Sequence, residues 1–143
     1  MMRKVLLLAV LVLAALTLAA CGGKEAAEEG AAGGAPAEEV AVTGDPARGE
    51  ALFKAPAVAG QAGCTSCHSL EPDVTLVGPS LAGIGSRAAE RVPGMSAAEY
   101  LKQSLLEPNA YVVEGFPQGV MPSYNGLSEQ ELQDLIAYLL TLK

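Results

Sequence analysis

Gly63-Cys64-Thr65-Ser66-Cys67-His68-Ser69-Leu70 carries two of the chain's three cysteines and its single histidine, all three within five residues. The spacing has a physical reading. Residues three apart share one face of a helical turn, so the two sulfurs point the same way, and the imidazole of His68 follows immediately. Cys-x-x-Cys-His of this kind is the attachment pattern for a c-type haem: Cys64 and Cys67 reach the two vinyl groups on one porphyrin edge, and His68 ligates the iron from one side.

Two other uses of the cluster compete with that reading. A structural zinc site needs about four Cys or His ligands, and the chain offers only these three side by side. A Cys64–Cys67 disulfide suits an oxidising compartment, but the βαβ surroundings of a thioredoxin-like redox motif are absent. The haem reading takes the cysteines and the histidine together, so one covalent haem c is the expected cofactor.

Outward from the cluster, the N-terminus sets the compartment. Met1-Met2-Arg3-Lys4 is basic, Val5 to Ala20 is apolar, and the run ends in Leu18-Ala19-Ala20-Cys21. It falls short of the roughly 20 apolar residues of a comfortable membrane span and reads as an export signal over residues 1–20. Leu-Ala-Ala-Cys at this place resembles a bacterial lipoprotein signal, which implies lipidation of Cys21 and a protein held at the extracytoplasmic (periplasmic) face of the cell membrane. Two or more acyl chains, each buried CH₂ contributing about 0.8 kcal/mol, make such an anchor stable. Residues 22–42, GGKEAAEEGAAGGAPAEEVAV, are almost entirely Gly, Ala, Glu and Pro, and such a composition buries too little surface to offset ordering. Residues 21–42 are therefore expected to be a lipidated, disordered tether with a reach of roughly 25 Å.

Residues 43–143 remain for one domain, enough for a single core, but large side chains are scarce: two Phe, four Tyr and no Trp. A haem would supply the missing apolar body, and the apoprotein is expected to be largely unfolded. Helix starts are well marked and strand signals nearly absent. Asp45-Pro46 puts an N-cap before a proline at the first helical position, for a helix running to about Lys54. Ser96…Glu99 and Ser128…Glu131 are capping boxes, each flanked by a staple pair, Met95 with Tyr100 and Leu127 with Leu132. Leu132, Leu135, Ile136, Leu139 and Leu140 form the stripe of an amphipathic C-terminal helix. Glycines and prolines mark Gly78-Pro79-Ser80, Gly83-Ile84-Gly85 and residues 115–122 as loops. The fold class expected is all-α. The chain is acidic, with a formal net charge of −7, which disfavours nucleic acid as a partner.

No second histidine exists, so the far side of an iron bound at His68 falls to Met, Lys, water or nothing. Met95 already has a place as the staple residue before Ser96. Met121 stands between Gly119 and Pro122 in an irregular segment, where the backbone can present a thioether sideways, and is the favoured ligand.

From about Asp45 to Leu142 the sequence resembles a class I, single-haem cytochrome c. The resemblance rests on an ordered set: Gly49 and Phe53 four apart on the first helix, Cys64-x-x-Cys67-His68, Gly78-Pro79-Ser80-Leu81 with Arg87 eight residues past the proline, Leu106 to Tyr111, Met121, and a last helix with Leu135 and Tyr138. It implies short helices wrapped around one haem, the terminal helices crossing at Gly49, and His68/Met121 ligation. It implies too that the Pro79 carbonyl accepts the second ring N–H of His68 and that Arg87 approaches a haem propionate. Tyr111 and Tyr124 either bond a propionate or pack. Basic residues like those around the haem edge of the mitochondrial relative are few here.

The function implied is one-electron transfer rather than catalysis. The sequence offers no second histidine base, no recognisable Ser or Cys nucleophile and no phosphate-binding glycine loop. The expected protein is a monomeric, lipid-tethered carrier in a bacterial respiratory or photosynthetic chain. Its partners are membrane redox complexes, a terminal oxidase or a quinol-oxidising complex foremost. The alternatives are a permanent cytochrome c subunit of a membrane oxidase or dehydrogenase, and a haem sensor in which Met121 yields to a gas.

Overall fold

The N-cap read from Asp45 and Pro46 opens the first helix, α1, Pro46–Lys54. The Asp45 carboxylate accepts from the N–H of Ala47 at 2.9 Å and of Arg48 at 3.4 Å, which supplies acceptors for otherwise orphaned donors of the first turn. A computed structural model provides the coordinates, and it describes residues 41–143. The expected signal over 1–20, the lipidated Cys21 and all but the last two residues of the expected tether lie outside the described residues.

Chain order continues with a minimal hairpin, β1 (Ala57–Val58) paired antiparallel with β2 (Gln61–Ala62). A 3₁₀ turn follows at Cys64–Ser66, then the one-turn helix α2 (Ile84–Arg87) and a 3₁₀ turn at Ala88–Glu90. Helices α3 (Ala97–Leu106) and α4 (Glu129–Thr141) complete the domain, each closed at its start by the expected capping box. Among the described residues no helix is long and apolar enough to cross a membrane.

Two details differ from the sequence expectation. The hairpin turns through Ala59 and Gly60, both at positive φ, 49° and 78°; a two-residue turn of this hand normally advertises itself as Asn-Gly or Asp-Gly, and alanine hides it. Gly83-Ile84-Gly85, expected as loop, instead opens α2. The reason is tertiary: the Gly85 N–H donates to the Leu142 carbonyl at 2.8 Å, and Lys143 Nζ donates back to the Gly85 carbonyl at 2.9 Å.

The terminal helices form the centre of the packing. A Cβ placed on Gly49 would overlap the Asp134 carbonyl and lie 2.7 Å from Tyr138 Cβ, so only glycine lets α1 approach α4 this closely. Beside the crossing, the rings of Phe53 and Tyr138 sit 5.4 Å apart at 49°, a favourable tilted pair. Phe53, Leu135 and Ile136 are sealed from water, each burial contributing about 1.5–3 kcal/mol.

Asp134 lies on α4 among these apolar groups, and its carboxylate is buried and fully engaged. It accepts from the Asp45 N–H at 2.7 Å, from Arg48 Nε at 2.7 Å and Nη2 at 3.0 Å, and from Gln130 Nε2 at 2.8 Å. Those donors, the Arg48 guanidinium first, hold its pKa far below the ordinary carboxylate value. One buried acid thus fastens the start of α1 to the middle of α4.

Candidate functional site

The cysteine turn is the first wall of the site. Cys64 opens the 3₁₀ turn, and the N–H groups of Cys67 and His68 both donate to the Cys64 carbonyl, at 3.1 and 2.9 Å. In a 3₁₀ turn residues three apart eclipse, a tighter version of the alignment expected for Cys64 and Cys67. Both thiols are unpaired, and burial pushes the Cys64 thiol up. Among the described residues no three His, Cys, Asp or Glu side chains are arranged to hold a metal ion.

His68 is fixed by the loop that follows. Its Nδ1 lies 2.8 Å from the Pro79 carbonyl oxygen. A carbonyl can only accept, so Nδ1 carries a proton, and in the neutral ring Nε2 presents the lone pair. Gly78 makes this fit: a Cβ there would stand 2.5 Å from His68 Cε1. The loop is tied down by Gly78 N–H to the Cys67 carbonyl at 2.9 Å and Leu81 N–H to the Ser69 carbonyl at 2.8 Å.

Met121 lies in the strap between α3 and α4, partly buried against the core. The strap is pinned at several points. Gly119 N–H donates to Asn109 Oδ1 at 2.7 Å, Ser123 Oγ to the Leu106 carbonyl at 2.6 Å, and Tyr124 N–H to the Leu105 carbonyl at 2.9 Å. The Tyr124 hydroxyl reaches across to the Ala62 carbonyl at 2.7 Å, binding the strap to the chain just before Cys64; burial raises its pKa to about 12. Both tyrosines line the cavity, Tyr124 also tying two segments together and Tyr111 packing edge-on against Tyr100 at 5.8 Å. Met95 sits at the staple position and packs against the core.

Between these walls lies a cleft enclosing about 1310 Å³ of space free of protein atoms, its open mouth included. Cys64, Cys67, His68, Pro79, Arg87 and Met121 all line it. The structure thus brings every haem-site residue expected within 43–143 to one cavity. Val77 and Val120, about half exposed, form part of its rim.

Arg87 occupies the expected wall with its donors partly committed. Its Nη2 donates to the Ser80 carbonyl at 2.7 Å and its Nη1 to the Ala82 carbonyl. Burial, and then the charge of Arg91, lower its pKa. Arg91 also lines the cleft, and its Nε is buried with no hydrogen-bond partner. Sequence reasoning missed Arg91; its spacing of four residues from Arg87 was the available signal. A haem fits these residues: two thiols and an imidazole on one turn, a thioether on a strap, and largely apolar walls.

Comparison with known proteins agrees. The cytochrome c family model matches residues 46–143. The chain is similar to cytochrome c2 iso-1 of Rhodospirillum centenum, 33% identical over 68% of this chain and 96% of that one. It is also similar to a cytochrome c2 of Rhodopseudomonas palustris, 30% identical over 69% and 99%. A further match is to cytochrome c oxidase subunit 2 of Alkalihalophilus pseudofirmus, 32% identical over 56% of this chain but only 22% of that protein.

Proposed function

The chain belongs to the cytochrome c family, and on that premise we propose that it is a lipid-tethered, one-electron carrier working between membrane redox complexes at the outer face of a bacterial cell membrane. Electron transfer through one covalent haem, without catalysis of its own, is the activity of the family. The tether, the ligand pair and the partners are the proposal. The observation that carries it is the convergence of Cys64, Cys67, His68 and Met121 on one cleft, with His68 oriented by Pro79.

When bound, a c-type haem supplies a ferric/ferrous couple. The chain's own residues then do the following. Cys64 and Cys67 hold the group through thioether sulfurs. His68 gives Nε2, and its Nδ1–H bond to Pro79 raises the basicity of that ligand. Met121 gives a soft sulfur, which favours the lower oxidation state and raises the potential. The apolar walls exclude water and so disfavour extra charge in the cavity. Val77 and Val120 at the rim leave an apolar edge on which a partner can approach.

Lipidation of Cys21 would keep the domain near both donor and acceptor and raise its effective concentration there. A terminal oxidase or a quinol-oxidising complex suits that position, in a respiratory or photosynthetic chain. The similarity to part of an oxidase subunit 2 favours a second reading, a permanent cytochrome c subunit of a larger complex. Purification from native membranes in mild detergent separates the two: a free monomer supports the carrier, stoichiometric co-purification the subunit. A visible spectrum with potentiometric titration tests the site itself. Six-coordinate His/Met signatures and a single one-electron wave are expected; a high-spin spectrum, or CO binding by the untreated reduced protein, would overturn the ligand assignment and favour a sensor.

A further inference from the structure

The surface outside the cleft is uneven in both hydrophobicity and charge. Among the described residues every exposed large hydrophobic side chain lies on one of two loops: Leu70, Val74, Leu76 and Val77 on the loop after His68, and Val120 on the strap before Met121. Residues 70–77 are exposed without interruption. Single exposed aliphatics are ordinary on a protein surface, but their confinement to one region marks a contact site. Val77 and Val120 also line the cleft, so both loops reach its mouth. The first loop is set against the wall by backbone bonds: the Glu71 N–H donates to Ser69 Oγ at 2.9 Å, and the Glu71 carbonyl accepts from Ser80 Oγ at 2.7 Å.

Charge on these loops has a single sign. Residues 69–80 and 107–122 hold Glu71, Asp73, Glu107 and Glu114 and no Lys or Arg. All four acids are exposed, and none forms an ion pair with a described residue. Glu107 and Glu114 adjoin the cleft-lining Pro108 and Val113. The cations of the described residues are placed elsewhere. Arg48, Lys54 and Lys102 stand in ion pairs, Lys143 and Arg87 donate to backbone carbonyls, and Arg91 is partly buried in the cleft wall.

We propose that the loop 70–77 and the strap 107–120 dock a redox partner of opposite polarity, one presenting an apolar patch bordered by Lys and Arg; this rests on the carrier reading above. Apolar surface bordered by polar groups is the make-up of a protein interface, and unpaired carboxylates complement a basic border. The polarity is the reverse of the mitochondrial relative's basic haem edge. Other occupants fit less well. Anionic headgroups of a bilayer attract basic segments and repel these loops, and a second copy presenting the same loops sets acid against acid. The carboxylates steer the encounter and select the partner. The aliphatics supply the attraction that remains once salt has screened the charges.

The test measures electron transfer from the reduced, haem-loaded full chain to native membranes. A Cys21→Ser parent keeps the protein in solution, and intact mass first establishes covalent haem in every variant. Glu71→Gln with Asp73→Asn, and Glu107→Gln with Glu114→Gln, each remove two charges from the loops. Asp73 has φ 60°, which Asn tolerates. Glu90→Lys makes the same change in net charge at an exposed turn off both loops. At low salt each loop pair raises KM about tenfold with kcat unchanged, and added salt brings the parent to the same KM. Glu90→Lys leaves KM within about twofold, because steering depends on where the charge sits. Val74→Ser with Leu76→Ser raises KM at high salt as well. A KM that falls in the loop pairs, or that moves no more than in Glu90→Lys, overturns the docking face and leaves the carrier reading standing. Binding of the parent to phosphatidylglycerol vesicles, or its dimerisation, abolished by Val74→Ser with Leu76→Ser, assigns the apolar loop to lipid or to a second copy and overturns the proposal. Native membranes that take no electron from the haem-loaded parent overturn the carrier reading itself.

Discussion

Replacing Gly49 by alanine sets two well-defined effects against each other. In an exposed helix interior the change stabilises by about 0.5–1 kcal/mol, because glycine loses more backbone freedom on folding. Here the added methyl would overlap the Asp134 carbonyl and crowd Tyr138 Cβ at 2.7 Å. The obstacle is largely backbone, so α1 and α4 must separate. Forcing an extra methylene into a close-packed interface costs typically about 1–3 kcal/mol. Separation also loosens the Phe53–Tyr138 ring pair, worth about 0.5–1.5 kcal/mol beyond area. The net expectation is a loss of about 1–3 kcal/mol, and for a domain of this size each kcal/mol lowers Tm by about 4–8 °C. Guanidinium unfolding of the haem-loaded protein, followed by far-ultraviolet circular dichroism, measures it. The midpoint should fall with an unchanged slope. Ala51→Gly, at an exposed position of the same helix, calibrates the propensity effect alone. A Gly49→Ala protein as stable as wild type, or more so, would refute the close-approach argument.

Met121→Ala should lower the midpoint potential by more than about 59 mV, a factor above ten, and should let the reduced iron bind CO; potentiometry and a CO difference spectrum read both, and an unchanged spectrum contradicts the ligand. Asp134→Asn should destabilise the domain at neutral pH and flatten its acid response. With the native carboxylate pKa lowered by Arg48, the stabilisation is fully present above the unfolded value of about 3.9. It is lost as pH falls through the depressed folded value. Because Arg48 is 58% exposed, salt should weaken the effect; parallel acid-denaturation curves for Asp134→Asn and wild type would contradict the linkage. Cys21→Ser should release the protein from membranes while leaving its spectrum intact, checked by fractionation, and retention in the membrane pellet would contradict lipid tethering.

The residues legible in sequence were those whose partners lie close along the chain. Asp45, Ser96 and Ser128 satisfy N–H groups two or three residues away, so each helix start was written locally. Cys64, Cys67 and His68 form one turn, and Pro79 lies only eleven residues on from His68. Asp134 was invisible because its partners Asp45 and Arg48 are 89 and 86 residues distant, and an acid on the face of an amphipathic helix ordinarily reads as solvated. The helix at Ile84–Arg87 is held by a backbone bond to Leu142 and a side-chain bond from Lys143, which loop-forming composition conceals. Arg91 reads as a surface charge until the cleft that it lines is known.

All of this turns on a covalent cofactor, and intact-mass spectrometry of protein matured in a host able to attach haem tests that most directly. The account predicts a polypeptide carrying one haem, with the added mass retained under denaturing conditions and lost from the Cys64→Ser, Cys67→Ser double variant. Bare polypeptide, acylated or not, in correctly matured material would contradict it.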